Sequence, residues 1–196
     1  MGSRPIINPG SLFWSGEHWV NYLGDPLAEK PYGMVSLYVT SYSPAGEGHV
    51  AWVDLVADPR LKVICTDNQE MAAFIFQNLI KGKGRHFDQD LPFLKARFRR
   101  KGDIRTAPGW VIETAEHRIT ATWLALQPPV VVEGWAPEFS ADYDLFSILI
   151  FAEDAGLSLN GRPVPAKPYR RDIWQRSLGG DRSSCVIALA ETMIKV

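Results

Sequence analysis

YGMVSLYVTSYSPAGEGHVAWVDLVA, residues 32–57, is the stretch that decides the fold. Tyr32 to Tyr42 and His49 to Ala57 are rich in β-branched and aromatic residues, and Ser43-Pro44-Ala45-Gly46-Glu47-Gly48 between them has the composition of a hairpin loop. The two runs are expected to pair antiparallel. Successive side chains of a strand point to opposite faces, so Val35, Leu37 and Val39 share one face and Met34, Ser36, Tyr38, Thr40 and Tyr42 the other. The second face mixes hydroxyls with a thioether, which suits either an apolar cavity that orients a ligand or a wall that meets water.

Reading onward, Leu61 to Cys65 continues as a short strand. Thr66 and Asp67 then stand three residues before Gln69 and Glu70, the spacing of overlapping capping boxes. A helix over about 67–81 follows, with Met71, Phe74, Ile75 and Leu79 as its apolar stripe and Lys81-Gly82 as its stop. Beyond it, extended runs recur at 93–99, 109–115, 117–126, 129–135, 143–153, 156–159 and 183–195. Ala155-Gly156 and Asn160-Gly161 are turn dipeptides, and 162–181, rich in Pro, Arg and Gly, reads as an ordered loop. Many strands at turn-separated spacing with one helix predict a mainly β fold, a single antiparallel barrel or sandwich over residues 1–196.

Apolar residues make up 46% of the 196-residue chain and charged residues 22%, the balance of a packed globule. Lys and Arg total 21 against 22 Asp and Glu, a net charge of -1 that offers no long-range attraction for nucleic acid. Lys95-Ala96-Arg97-Phe98-Arg99-Arg100-Lys101 is the densest basic run, either a phosphate-binding patch or, as its alternation favours, a strand with one wet face. No apolar leader and no long apolar stretch stand in the sequence, so the expectation is a cytoplasmic protein without a membrane span. Cys65 and Cys185 sit in apolar runs as expected buried thiols. The four histidines, His18, His49, His86 and His117, have no ligand-like spacing, so no metal is expected.

Candidates for chemistry are polar groups on apolar faces. Asp54 shares a strand face with Val50, Trp52 and Val56, where a carboxylate is costly unless paired. It is a candidate general acid or base, or else an Arg-paired or exposed structural residue. Glu191 shares a face with Cys185, Ile187, Leu189 and Met193 in a strand that is apolar on both sides. It is either catalytic or bridged to Arg170 or Arg171. His18 lies among Phe13, Trp14, Glu17, Trp19 and Tyr22, and Tyr38 stands on the amphipathic hairpin face. No nucleophile elbow, P-loop or dinucleotide fingerprint occurs, which weighs against serine hydrolases and nucleotide enzymes. The aromatic side chains Trp19, Tyr42, Trp52, Trp123 and Trp174, with Arg170, are the expected ligand-binding set, because cavities for ring-bearing molecules use such walls.

Glu17-His18-Trp19-Val20-Asn21-Tyr22-Leu23, followed by Pro31-Tyr32-Gly33, resembles the opening of the lipocalin-like family of carotenoid 1,2-hydratase, tocopherol cyclase and fungal Diels-Alderases. Gly156-Leu157-Ser158-Leu159-Asn160-Gly161 with Trp174 resembles that family's later strand, turn and Trp. Members usually carry two β-domains in a longer chain, and the 67–81 helix has no counterpart to quote. The resemblance implies a calycin-type barrel, and hydration, cyclisation or isomerisation of a hydrophobic substrate by acids in the barrel, with no cofactor. The leading expectation is therefore a cofactor-independent lyase or isomerase acting on a hydrophobic small molecule in a barrel cavity. A non-catalytic carrier of the same ligand and a filled-core interaction module are the rivals, and a homodimer is left open.

Overall fold

The expected hairpin forms: β2 (Pro31–Tyr42) pairs antiparallel with β3 (Gly48–Leu55), with Tyr38 opposite Val50 and Ser36 opposite Trp52. A computed structural model describes residues 11–24, 31–56, 60–80, 91–135 and 143–195. Ala57, Lys81, Gly82 and His86 lie outside them. β1 (Leu12–Gly24), which the pattern reading did not assign as a strand, pairs with β2 on one edge and with β13 (Val186–Lys195) on the other. The run was unreadable because both faces are covered: Trp19 and Leu23 turn to the interior while Trp14 and Val20 turn outward under other elements.

The remaining strands are β4 (Leu61–Thr66), β5 (Phe93–Lys95), β6 (Arg97–Lys101), β7 (Gly109–Glu113), β8 (Arg118–Leu126), β9 (Val130–Trp135), β10 (Tyr143–Leu159) and the two-residue β11 (Arg162–Pro163) and β12 (Lys167–Pro168). The sheet runs β5-β4-β3-β2-β1-β13-β10-β8-β7-β6. Its two ends are halves of one extended segment, 93–101, divided only by Ala96, whose N–H donates to Thr66 O at 2.8 Å. The sheet thereby curls into a nearly closed barrel. β4 and β5 pair in parallel, unlike the expected all-antiparallel set, because the chain leaves β4 through a helix and returns to the same edge.

Two expected boundaries move. The runs 143–153 and 156–159 are one strand, and Ala155-Gly156 lies inside it, paired to Trp123 and Thr122 of β8. The apparent break is a slip in phase: Ala152 faces the interior, and so do Ala155 and Leu157. Asn160-Gly161 is a true turn, with both residues at positive φ (51° and 80°). The 162–181 segment holds a second helix, α2 (Asp172–Leu178), closed by Gly179 in the left-handed region.

The first helix, α1 (Gln69–Ile75), starts one residue past the expected cap. Asn68 is the N-cap, its side chain accepting from Met71 N, and Thr66 instead donates to His49 O and Asn68 O. From Phe76 to Ile80 the helix widens to π form. The buried residues Met71, Ala72, Ile75, Phe76, Leu79 and Ile80 recur in pairs every four positions. At 3.6 residues per turn a four-residue step drifts by about 40°, and a wider turn corrects the drift, keeping the stripe on the barrel wall. Phe74 is only half-buried at the edge of this packing.

Three apolar clusters result. The barrel interior is filled by Trp19, Trp110 and Trp123 with aliphatic side chains from the surrounding strands, and Cys65 and Cys185 are buried there as free thiols. The second cluster lies outside the wall, between Trp14, Met34, Tyr38 and Trp52 and the inner face of α1. The third packs Trp174 of α2 on Phe151, ring centroids 5.1 Å apart. Among the described residues no helix is long and apolar enough to cross a membrane.

Candidate functional site

All four expected catalytic side chains belong to the outward face of the barrel wall. Asp54 stands opposite Met34, in the layer that α1 covers, and Arg60 grips it with two hydrogen bonds of 2.8 and 2.7 Å. This is the Arg-paired structural reading of that residue. Glu191 was placed with Cys185, Ile187 and Leu189, but a bulge at Ala190 (φ 50°) shifts the phase. It faces outward with Met193, opposite Gly16, its Oε2 3.4 Å from Ser147 Oγ. Neither expected arginine bridges it: Arg170 is bound to Glu153 at 3.0 and 2.6 Å, and Arg171 lies over the Tyr22 and Trp174 rings. Only His18 and Tyr38 are brought together, their rings stacked 4.0 Å apart, with His18 Nε2 2.8 Å from Ser36 Oγ.

The expected ligand-binding set is dispersed rather than gathered round one cavity. Trp19 and Trp123 are interior, edge to face at 5.1 Å. Trp52 lies outside under Phe76, Trp174 lies under α2, Tyr42 is 43% exposed, and Arg170 is engaged on the surface with Glu153. The physical reason is the phase of the hairpin. The face carrying Tyr38 and Trp52 meets a helix, so its aromatics pack instead of enclosing space.

A different arrangement stands at one end of the barrel. The β3–β4 register, which pairs Val50 with Thr66, sets His49 and Asp67 side by side just beyond it. Asp67 Oδ1 accepts the His49 backbone N–H at 2.6 Å and Oδ2 lies 2.7 Å from His49 Nδ1. Burial alone would raise the Asp67 carboxyl, but the side-chain and backbone hydrogen bonds from His49 outweigh it and hold the group below its ordinary value. An ionised carboxylate only accepts, so Nδ1 carries the proton and Nε2 is the ring nitrogen that can take one up. The His49 ring stacks on Phe98 at 5.0 Å and meets Trp110 edge-on at 5.6 Å. His49 and Asp67 line an open groove of 1220 Å³ together with Val39, Ser41, Glu47 and Glu70.

On the other side of Trp110, Arg100 Nη2 donates to both oxygens of Glu17 (2.7 and 2.6 Å), and Trp19 Nε1 donates to Glu17 Oε2 at 2.8 Å. The Arg100 guanidinium also lies 5.0 Å from the Trp110 ring centroid and 5.7 Å from that of Trp19. One ion pair and one histidine–carboxylate hydrogen bond thus flank one indole at the barrel mouth. Pattern reading saw none of this, because His49 begins a strand and Asp67 follows another. Extending the β3–β4 pairing by one register step would have put them together.

Among the described residues no three His, Cys, Asp or Glu side chains converge as a metal site requires. Comparison of the chain with protein-family models, characterised proteins and solved structures returned no match, so the lipocalin-like resemblance rests on the quoted residues alone.

Proposed function

We propose that this chain is a cofactor-independent lyase or isomerase that moves a proton on a hydrophobic small molecule seated at the barrel mouth. The observation that carries the reading is the double hold of Asp67 on His49, through Nδ1 at 2.7 Å and the backbone N–H at 2.6 Å. It fixes both the tautomer and the ring orientation, which is what a general base needs before substrate arrives. Nε2 would take a proton from a substrate carbon, the bonding pair moving into the adjacent π system. The proton would return at another carbon in an isomerisation, or a leaving group would depart in an elimination. The open groove that His49 and Asp67 line, with Val39 and Ala73 as its apolar contacts, is the place where such a molecule would sit.

The carrier reading keeps one observation in its favour, since an open groove of 1220 Å³ holds a small molecule without any chemistry. The two separate experimentally. Native mass spectrometry of freshly purified protein identifies the co-purified small molecule, and incubation of that molecule with the protein in D₂O follows its carbon-bound protons by NMR. Protein-dependent exchange that His49→Gln abolishes supports the enzyme. Binding without exchange leaves the carrier, and no bound molecule overturns both.

A further inference from the structure

We propose that the indole N–H of Trp110 is the donor that holds an acceptor oxygen of the ligand, which makes the ligand a molecule bearing a carboxylate or a carbonyl. The inference rests on the reading that the ligand seats at the barrel mouth and goes on to its chemical class.

The interior holds three indoles, and two of them are satisfied by the wall itself. Trp19 donates to Glu17 and Trp123 donates to Val20 O, each at 2.8 Å. Trp110 is only 2% exposed, yet its Nε1 has no acceptor among the described residues. Buried donors are almost always bonded, and a phenylalanine would fill this place without leaving one stranded. Arg100 at 5.0 Å, His49 at 5.6 Å and Trp19 at 5.9 Å surround the ring.

Arg100 spends only Nη2 on Glu17, so its Nε and Nη1 hydrogens remain for a second acceptor. Its side chain is 49% exposed and lies over the face of the indole, so it adds a positive charge beside the ring. An oxygen bound at the edge of the indole would accept from the N–H in the ring plane and lie in the field of that charge. A carbonyl oxygen held by this N–H would take up the pair of electrons released when a proton leaves the neighbouring carbon.

The test uses the full chain with three probes of equal ring size, benzoate, acetophenone and toluene, titrated while the indole N–H signals are followed by NMR. Wild type is expected to bind benzoate and acetophenone with a downfield shift of the Trp110 N–H, and toluene without it. Trp110→Phe, which keeps the ring plane but loses the donor, should weaken the two oxygen-bearing probes roughly five- to tenfold, the worth of one hydrogen bond, and leave toluene unchanged. If that variant does not fold, the wild-type shift alone decides. In His49→Gln the Trp110 N–H should still shift downfield with benzoate, so loss of proton exchange with that shift retained bears on the base and not on Trp110. Equal affinity of wild type and Trp110→Phe for all three probes, an unshifted Trp110 signal, or no binding of any probe would overturn the proposal.

Discussion

Asp54 and Arg60 form a two-pronged ion pair whose partners live in different surroundings: the Asp54 side chain is 8% exposed and that of Arg60 is 58% exposed. The asymmetry predicts unequal costs. Arg60→Ala strands a carboxylate beneath α1 and should destabilise by about 3–5 kcal/mol, whereas Asp54→Asn leaves an arginine that reaches water and should cost about 1–3 kcal/mol. Urea unfolding of both variants checks the order. Equal losses, or a larger one for Asp54→Asn, contradict the placement of Asp54.

The His49–Asp67 pair makes stability depend on acid. The Asp67 carboxyl is held below its ordinary value, against its own burial, by the hydrogen bonds from His49. A lowered carboxyl contributes stability above the unfolded-state value near 4 and loses it as pH falls through the lower folded value. Asp67→Asn should therefore cost about 1 kcal/mol at pH 7, with partial exposure limiting the figure, and less at pH 2. Denaturant titrations at the two pH values read the difference directly.

Burial pushes both thiols, Cys65 and Cys185, up to about 12. At pH 8 the folded protein should therefore resist a thiol reagent such as dithionitrobenzoate, and two thiols should react once urea unfolds it. Because the folded values are raised, stability should fall as pH climbs from about 9, where unfolded thiols ionise, toward about 12. Rapid labelling of either thiol in the folded state would mean that the interior opens there.

Along the first helix the π segment redistributes burial. Ile75 is fully buried against the wall, while Phe74 is half-buried and meets Phe13 at 5.1 Å. Ile75→Ala should cost about 2–5 kcal/mol, and Phe74→Ala less despite its larger side chain. Thermal unfolding of the two variants checks the order.

The hairpin faces were legible because one of them is uniformly aliphatic: Val35 and Leu37 point into the barrel as alternation requires. Where phase slips, alternation misleads. Ala190 adopts positive φ and turns Glu191 outward, and the slip after Ala152 made one strand read as two. β1 hid because Trp14 and Trp19, on opposite faces, are both buried. The mouth groups were illegible for another reason. His49, Asp67, Phe98 and Arg100 come from three segments that only pairing registers bring together, and no local motif marks a contact of that kind.

The central claim is that the chemistry belongs to His49 at the barrel mouth and not to the outward-facing candidates. The measurement that tests it most directly is deuterium exchange into the co-purified molecule, compared between wild type, His49→Gln and His18→Gln. The account predicts that His49→Gln binds the molecule but loses roughly 10² to 10⁴ in exchange rate, the usual contribution of a positioned base, while His18→Gln matches wild type. Full exchange in His49→Gln, or its loss in a folded His18→Gln, would contradict it.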